Sequence, residues 1–341
     1  MHTAYMIGLA WILVAGVAQG IFVLPMKYTR VWKWEHLWFW YSIIAFFVLP
    51  LVVAVLTVPR LGEVYSLAPP HQIVWAALFG LGWGAGSVFF GLGVDALGMA
   101  LGFSMMTALY TALGAFIPLV LLTPDMIFRR NGLMIIAGNI VTTVGVVVCS
   151  VAGDRRDKML GNKPSAGMIG PKRSFPLALT FCILSGVLSA ALNFGYAFCS
   201  DIVTAAQKLG ATKDNGVNAM WLVLIPAGGL INIGYCVLLL RKNKSWDRLV
   251  AQSTLVDWLG AWFMGILWTG SVIVYGWGAN DLGRLGPTLG WSLWNAILIA
   301  TTFICGLLTR EWQGVHGRPL RLLYIGIAVL ILGMFVLGLG V

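Results

Sequence analysis

Long runs of apolar residues recur along the whole chain and leave little polar sequence to cover a water-facing surface. About 20 such residues are enough to cross a bilayer as an α-helix. Of the 341 residues, 59% are hydrophobic and 10% are charged, whereas a soluble domain carries about 25% charged residues. We therefore predict an all-α polytopic membrane protein. Its ten predicted spans are 5–26, 36–58, 72–94, 98–122, 132–152, 176–197, 218–240, 254–277, 287–308 and 320–340.

The basic residues are spread unevenly over the loops between these spans. The net charge is +10, and sixteen of the 22 Lys and Arg residues lie in or beside odd-numbered loops, with six in even-numbered loops. Because Lys and Arg concentrate in cytoplasmic loops, the odd-numbered loops are predicted to be cytoplasmic and both termini periplasmic. The positive charge is thus a topology signal, which argues against nucleic acid as a partner.

A stretch of sixteen residues occurs twice in the chain. The sequence WGAGSVFFGLGVDALG at 83–98 is matched by WTGSVIVYGWGANDLG at 268–283. Both copies begin with Trp, carry an aromatic residue at the eighth place and Gly at the ninth and eleventh, and end in Leu-Gly. Other pairs matched at a similar offset are Phe116 with Phe303, Gly138 with Gly326, and Gly145 with Gly333. The match is therefore collinear over a large part of each half.

The polar stretch 154–174 divides the chain into halves of five predicted spans each. We predict a first five-helix repeat at 1–153, a cytoplasmic linker at 154–175 and a second repeat at 176–341. Because five is odd, the second repeat must enter the membrane inverted relative to the first. Inverted repeats are typical of secondary transporters, whose substrate binds near the bilayer midplane where the halves meet.

The centres of the predicted spans contain polar side chains but no Asp, Glu, Lys, Arg or His. Since a site for a charged solute normally supplies a counter-charge, this absence predicts a neutral polar substrate. Ser185, Ser189, Asn193 and Tyr196 recur in the sixth span at three- and four-residue steps, which places them on one helical face. The alternative is that these groups only form hydrogen bonds between helices.

Two of the sixteen tryptophans, Trp83 and Trp268, fall near mid-span and are equivalent in the two repeats. An indole ring with its N–H suits the apolar face and hydroxyl rim of a sugar, although simple core packing is the alternative. Other tryptophans fit an interfacial belt. These are Trp32, Trp34, Trp38, Trp40, Trp246 and Trp312.

Acidic residues at the span margins are the candidates for proton coupling. Asp257 is preferred to Asp201, and Glu35 is the third candidate. The alternative for Asp257 and Glu35 is structural, because a carboxylate in a first helical turn interacts favourably with the helix dipole. The cysteines and histidines are scattered, so we predict no metal site. The sequence has no phosphate-binding loop, so we predict no nucleotide cofactor. It has no mid-span nucleophile–base pair, which argues against an enzyme.

The sequence WGAGSVFFGLGVDALGMALG at 83–102 resembles the WGxG…[FY]GL…LGMxxG signature of the L-rhamnose-proton symporters, members of the drug/metabolite transporter superfamily. The similarity covers nearly the whole chain. It includes Trp11, Phe22, Pro25, Trp34-Glu35, Ser185, Ser189, Asn193, Ile231-Asn232, Gly234, Trp268, Tyr275-Gly276-Trp277-Gly278 and Glu311-Trp312. The resemblance implies ten helices in two inverted repeats, a bacterial inner-membrane location with periplasmic termini, and proton-driven uptake of a 6-deoxyhexose.

We therefore expect a symporter for L-rhamnose or a similar neutral monosaccharide, as a monomer or weak homodimer. The alternative within transport is an exporter or facilitator of another small neutral metabolite. The candidate substrate-binding residues are Gln19, Trp83, Ser87, Ser104, Ser185, Ser189, Asn193, Tyr196, Trp221, Trp268, Tyr275, Trp291 and Asn295.

Overall fold

The computed structural model describes residues 2–161, 175–251 and 254–340, and the regular structure within them is helical. Most of the predicted linker 154–175 lies outside the described residues. The α-helices are α1 (His2–Ile21), α2 (Trp34–Ile43), α3 (Leu49–Thr57), α4 (Leu61–Leu67), α5 (Pro70–Gly98), α6 (Ser104–Leu122), α7 (Arg130–Met159), α8 (Phe175–Ser189), α9 (Ala191–Phe198), α10 (Ser200–Lys208), α11 (Val217–Lys242), α12 (Leu255–Asp281), α13 (Trp291–Leu308) and α14 (Arg318–Gly338).

Among the described residues, ten helical segments are long and apolar enough to cross a membrane, which confirms the predicted number of spans. They are Thr3–Lys27, Trp34–Thr57, Pro70–Val94, Leu101–Leu122, Arg130–Met159, Phe175–Lys208, Val217–Lys242, Leu255–Asp281, Gly283–Leu308 and Arg318–Gly338. The largest differences from the predicted bounds are at the ends of the fifth and sixth segments. There the helical backbone continues beyond the apolar run into polar sequence, which hydropathy alone does not register.

Several segments change direction or hydrogen-bond pattern along their length. A π-helical turn at Ile44–Val48 joins α2 to α3 just before Pro50, whose ring removes a backbone donor from the helix. The sixth segment is divided into α8, α9 and α10 by breaks at Ala190 and Cys199. These breaks separate α9, which carries Asn193, from α8 and α10.

Small residues bring the helices of the two halves into close antiparallel contact. A Cβ added at Gly145 of α7 would lie 2.9 Å from Leu330 Cγ of α14, so only glycine fits this approach. As the residue number rises on α7, the contacting number falls on α14, so the two helices run antiparallel. The contacts between them pair Gly138 with Leu337, Thr142 with Gly333, Gly145 with Leu330, and Cys149 with Gly326.

The same kind of contact holds α8 against α5 and α1 against α12. Gly86 and Gly93 of α5 contact Ser189 and Cys182 of α8, respectively. On the other side of the molecule, Gly278 of α12 contacts Gly8 of α1, and the Ser271 hydroxyl donates to the Ala15 carbonyl at 2.7 Å. The polar and aromatic side chains described next lie between these helix pairs.

Candidate functional site

Asn193 is a fully buried hydrogen-bonding centre on α9. Its Nδ2 donates to the carbonyls of Gly114 on α6, at 2.8 Å, and of Pro287 in the turn before α13, at 2.6 Å. Its Oδ1 accepts a hydrogen bond of 2.6 Å from the Tyr275 hydroxyl on α12. One neutral amide thus joins helices from both halves of the chain.

Aromatic rings surround this amide. Tyr275 stacks on Trp294 with ring centroids 4.8 Å apart, and Tyr196 stacks on Trp221 at 6.0 Å. The two tyrosine rings are 5.4 Å apart. We call the following residues the Asn193 cluster: Asn193, Tyr196, Trp221, Tyr275, Trp291 and Trp294. The cluster combines flat apolar faces with neutral donors and acceptors, which is the chemistry that a neutral polyol requires.

Two polar atoms beside this cluster are buried without a hydrogen-bond partner among the described residues. They are the Trp221 Nε1 and the Asn218 Oδ1. Both residues line a cavity of about 10 Å³, room for about one water molecule, together with Pro50, Val53, Ile225, Thr269 and Ile273. The cavity is smaller than a typical ligand pocket of about 300–1,000 Å³. The Trp221 N–H donor and the Asn218 Oδ1 acceptor thus belong to residues that line a small gap in the helix packing.

Trp83 and Trp268 form a stacked pair, with centroids 5.2 Å apart and an interplanar angle of 29°. The edge of Phe46 packs against both rings, at 5.2 Å and 4.8 Å. Gly228 of α11 lies so close that an added Cβ would overlap the Trp83 ring. The structure therefore brings the two predicted residues together, but each uses one ring face on the other.

A second polar centre lies beside this tryptophan pair and was not among the predicted site residues. Asn232 of α11, which is 3% exposed, accepts hydrogen bonds of 3.1 Å from both the Trp38 Nε1 and the Ser87 Oγ. Trp38, predicted as an interfacial belt residue, directs its N–H to this buried amide. An uncharged amide in the middle of an apolar span was the available signal for Asn232.

The remaining predicted residues contact a neighbouring helix, bond within their own helix or have no partner among the described residues. Ser185 Oγ donates to the Gly86 carbonyl at 3.0 Å, and Ser189 packs on the same glycine, so both hold α8 against α5. Asn295 Nδ2 donates to the Trp291 carbonyl on its own helix at 2.8 Å. Gln19 Oε1 and Ser104 Oγ are buried and lack a partner within the ranges that the structure describes.

The three acidic candidates have different environments. Asp257 is buried, and its two carboxylate oxygens accept the backbone N–H groups of Arg30 and Val31 at 2.8 and 3.3 Å. This geometry fits the structural alternative, since the carboxylate holds the loop between α1 and α2. Asp201 is exposed at the start of α10. Glu35 is buried at the start of α2, where its Oε1 accepts the Asn243 Nδ2 at 2.9 Å.

Ion pairs tie the loops together at one end of the helices, beside α1, α7 and α13. Glu311 contacts Lys27 through one carboxylate oxygen and Arg156 through the other, the latter at 3.0 Å. Arg156 also lies 5.1 Å from the ring centre of Trp312. This network joins the loop after α1 to the end of α7 and to the loop before α14.

Ion pairs at the opposite helix ends include Lys213 with Asp281 at 2.7 Å and Arg284 with Asp125 at 2.9 Å. The hydrogen bond from Arg284 holds the pKa of Asp125 below its usual value. Partial burial and the nearby Asp281 carboxylate raise the pKa of Asp214. Both ends of the helix bundle are therefore bridged by charged contacts between loops.

Ten apolar helices packed around an uncharged, aromatic centre fit the class of multi-pass membrane transporters. The family model of the L-rhamnose-proton symport protein matches residues 1–341, so the chain belongs to that bacterial family. The chain is 28% identical over 356 residues to the L-rhamnose-proton symporter of Cronobacter sakazakii, covering 100% of this chain and 99% of the relative. It is 27% and 26% identical to the symporters of Mannheimia succiniciproducens and Escherichia coli, respectively, with the same coverage.

Proposed function

We propose that this chain is a proton-coupled symporter that takes up L-rhamnose or a similar neutral monosaccharide. The observation that carries the proposal is the buried contact between Asn193 and Tyr275, set among aromatic rings and bonded to helices of both halves. A charged solute would leave its charge unpaired there, whereas sugar hydroxyls can exchange hydrogen bonds with the amide and the phenol. Membership of the family suggests proton symport of L-rhamnose. The neutral centre fits a neutral sugar.

The proposed architecture is a pair of inverted five-helix repeats. In the repeat, Gly145 is matched with Gly333 and Thr142 with Leu330, each 188 residues further along the chain. Replacing both residues of the Gly145–Leu330 contact by their matches gives Gly333 and Thr142, which also contact each other between α7 and α14. This agreement supports the proposed architecture. Because the two helices are antiparallel, the twofold relation between them has its axis perpendicular to the helices. In a membrane such an axis lies in the bilayer plane, as in other transporters with inverted repeats.

The contacts of α5 with α8 and of α12 with α1 support the same relation. The contact of Gly93 with Cys182 corresponds to the contact of Gly278 with Gly8. Further along the same helices, the contact of Gly86 with Ser189 corresponds to the hydrogen bond from Ser271 to Ala15. Two equivalent halves provide two related arrangements of similar energy, one open to each side of the membrane. The loop charges favour periplasmic termini and the inner membrane of a bacterium.

In the proposed binding mode, the helices around the Asn193 cluster move apart to admit the sugar, because the adjoining cavity is too small to hold it. Its hydroxyls bond to Asn193, to Tyr275 and to the unpaired Nε1 of Trp221. The Trp83–Trp268 pair lies at the boundary between the halves and separates this cluster from Asn232. Stacking of the sugar on the face that the two indoles share would require the pair to part, and the same holds for the stacked Tyr196 and Trp221. Trp291 is the better platform, because its contacts with neighbouring rings are edge-on or tilted. Of the three acidic candidates, Glu35 has the environment that best suits a proton-coupling role.

Uptake of radiolabelled L-rhamnose into proteoliposomes under an imposed pH gradient tests the function. We expect accumulation above the external concentration, abolished by a protonophore. A facilitator would only equilibrate the sugar, and no uptake above empty vesicles would overturn the proposal.

Thermal unfolding with a panel of neutral sugars identifies the preferred substrate, because a ligand at about 100 times its Kd stabilises the folded state by about 2.7 kcal/mol.

A further inference from the structure

His36 is a fully buried histidine that the proposed binding mode does not use. It lies in the first turns of α2, next to Glu35, which is 6% exposed. Both side chains reach the segment that follows α11, in the other half of the chain. A buried imidazole beside a buried carboxylate is uncommon in a membrane protein, and such ionisable groups usually mark an ion or proton pathway.

The hydrogen bonds of His36 determine which ring nitrogen is free to bind a proton. Its Nε2 lies 2.7 Å from the Ser245 carbonyl oxygen. A carbonyl can only accept, so the hydrogen of the neutral ring is on Nε2 and the lone pair is on Nδ1. Nδ1 is buried and has no hydrogen-bond partner among the described residues. The ring therefore presents a fixed, unoccupied proton acceptor.

Glu35, the adjacent residue, is the carboxylate that interacts with His36 through space, although in the described ranges the two form no ion pair within 4.0 Å. Its Oε1 accepts the Asn243 Nδ2 at 2.9 Å and lies 3.5 Å from the Ser245 Oγ, both neutral donors. Within the described ranges no Lys or Arg forms an ion pair with it. The other titratable groups acting on it are Lys33, in the preceding loop, and the Cys236 thiol of α11. A proton on His36 would place a positive charge next to the negative charge of Glu35. Two opposite charges cost less to bury together than the carboxylate alone.

We propose that His36 Nδ1 takes up the co-transported proton, with Glu35 as its counter-ion. The inference rests on the proposed proton symport. One proton passes from water to the Nδ1 lone pair and later leaves to water on the other side, and no other bond is made or broken. Because His36 and Glu35 hold Ser245 and Asn243 across the boundary between the halves, the charge of the pair acts on the contact that must change during alternating access.

The test compares two assays in proteoliposomes: accumulation of labelled L-rhamnose driven by a pH gradient, and exchange of sugar at equal pH on both sides. In His36→Gln the amide can still donate to the Ser245 carbonyl but cannot take up a proton. We expect this variant to lose accumulation, which for one proton per sugar is about tenfold per pH unit, while its exchange rate stays near the wild-type rate and becomes independent of pH. Glu35→Gln should show the same separation of the two activities.

His71→Gln, at an exposed histidine at the start of α5, is the matched control and should accumulate sugar like the wild type. Wild-type accumulation by His36→Gln would overturn the inference. Loss of exchange together with accumulation in folded His36→Gln and Glu35→Gln would overturn it as well, because the residues would then be structural. Failure of the wild-type protein itself to accumulate sugar would instead contradict the proposed symport function.

Discussion

The Tyr275 hydroxyl donates a hydrogen bond of 2.6 Å to Oδ1 of Asn193, and this contact joins α12 to α9 at the centre of the helix bundle. Asn193 has no spare donor, since its two other bonds go to backbone carbonyls on α6 and before α13. The side chain that the sequence predicts as a sugar ligand is therefore also a link between helices. Substrate binding must exchange some of these bonds for bonds to the sugar.

Tyr275→Phe should weaken sugar binding and modestly destabilise the protein. The phenyl ring keeps its packing on Trp294, but the buried Asn193 Oδ1 loses its donor, which costs about 1–3 kcal/mol. We expect a rise in KM of about tenfold, equivalent to 1.4 kcal/mol. Tyr65→Phe is the control, because Tyr65 donates to the Ala219 carbonyl at 2.9 Å outside the cluster. The control should lose stability but keep its KM, and an equal rise in KM in both variants would contradict the binding role.

Gly228→Ala should disturb the central tryptophan pair. The added Cβ would overlap the six-membered ring of Trp83, which is held on its other side by Trp268 and Phe46. Overpacking of this kind costs about 1–3 kcal/mol. The measurement is thermal unfolding together with tryptophan near-UV circular dichroism, which reports on indole stacking.

Gly234→Ala on the same helix is the matched control. An added Cβ there has no heavy atom within 4 Å, and alanine is a better helix former than glycine by up to about 1 kcal/mol. The control should melt at or above the wild-type temperature. If Gly228→Ala behaved like Gly234→Ala, the close packing of Trp83 on α11 would be wrong.

Composition and periodicity predicted the elements that depend on single segments. Ten spans followed from apolar length, and most of their bounds differ from the observed ones by a few residues. The repeat marked Trp83 and Trp268 as equivalent mid-span residues, and the structure brings their rings together. Their mutual stacking was not predictable, since a helical period defines a face but not the partner that covers it.

The contacts that depend on chain segments far apart were the ones that sequence reasoning missed. Asn232 gathers Trp38 and Ser87 from two other helices, and no local pattern contains that information. The carboxylate of Asp257 is bound by backbone N–H groups 226 and 227 residues away. The role of Asp257 as the preferred proton carrier stays a prediction. The structure gives the same side chain a structural role, since it holds the loop between α1 and α2.

Gly145→Ala and Gly333→Ala should destabilise the protein by similar amounts. Each glycine sits where α7 and α14 approach, and the added Cβ would lie 2.9 Å from Leu330 Cγ or 2.5 Å from Thr142 Oγ1, respectively. The proposed twofold relation maps one site onto the other, so both substitutions should show the overpacking cost of about 1–3 kcal/mol. Thermal or chemical unfolding in detergent measures both.

Gly153→Ala on α7 and Gly338→Ala on α14 are controls, since neither added Cβ meets an atom within 4 Å. They should leave stability near that of the wild type. A large loss at Gly145 with none at Gly333 would show that the two faces are not equivalent, and it would count against the inverted-repeat architecture.

Asp214→Asn should change how stability depends on pH. Burial and the nearby Asp281 raise the pKa of Asp214 above its usual 3.8 in the folded protein. The folded state then binds a proton more tightly than the unfolded chain. The stability from this group is fully present below 3.8 and is lost as the pH rises through the raised pKa. Unfolding of wild type and variant over this range should show the wild type gaining on the variant towards acid pH, and parallel curves would contradict the shift.

Glu311→Gln should loosen the loop network around Lys27 and Arg156, and Cys305 provides a native reporter of that change. Cys305 is partly exposed, whereas the other four cysteines are buried. Its carbonyl accepts the Thr309 hydroxyl, which in turn accepts a bond from Lys27 Nζ at 2.6 Å. Loss of the Glu311 charge removes the ion-pair partner of Lys27 and leaves Arg156 paired with Asp157 alone. A weakening of about 1 kcal/mol corresponds to a factor of about five in an opening equilibrium. Under the proposed orientation, which places this end of the bundle in the cytoplasm, we expect a membrane-impermeant maleimide to label Cys305 about fivefold faster in inside-out vesicles. Asp154→Asn breaks the exposed pair with Lys158 on α7 and should leave the labelling rate unchanged. Equal rates in wild type and Glu311→Gln would mean that the ion pairs do not hold this end of the bundle closed, and that packing alone does so.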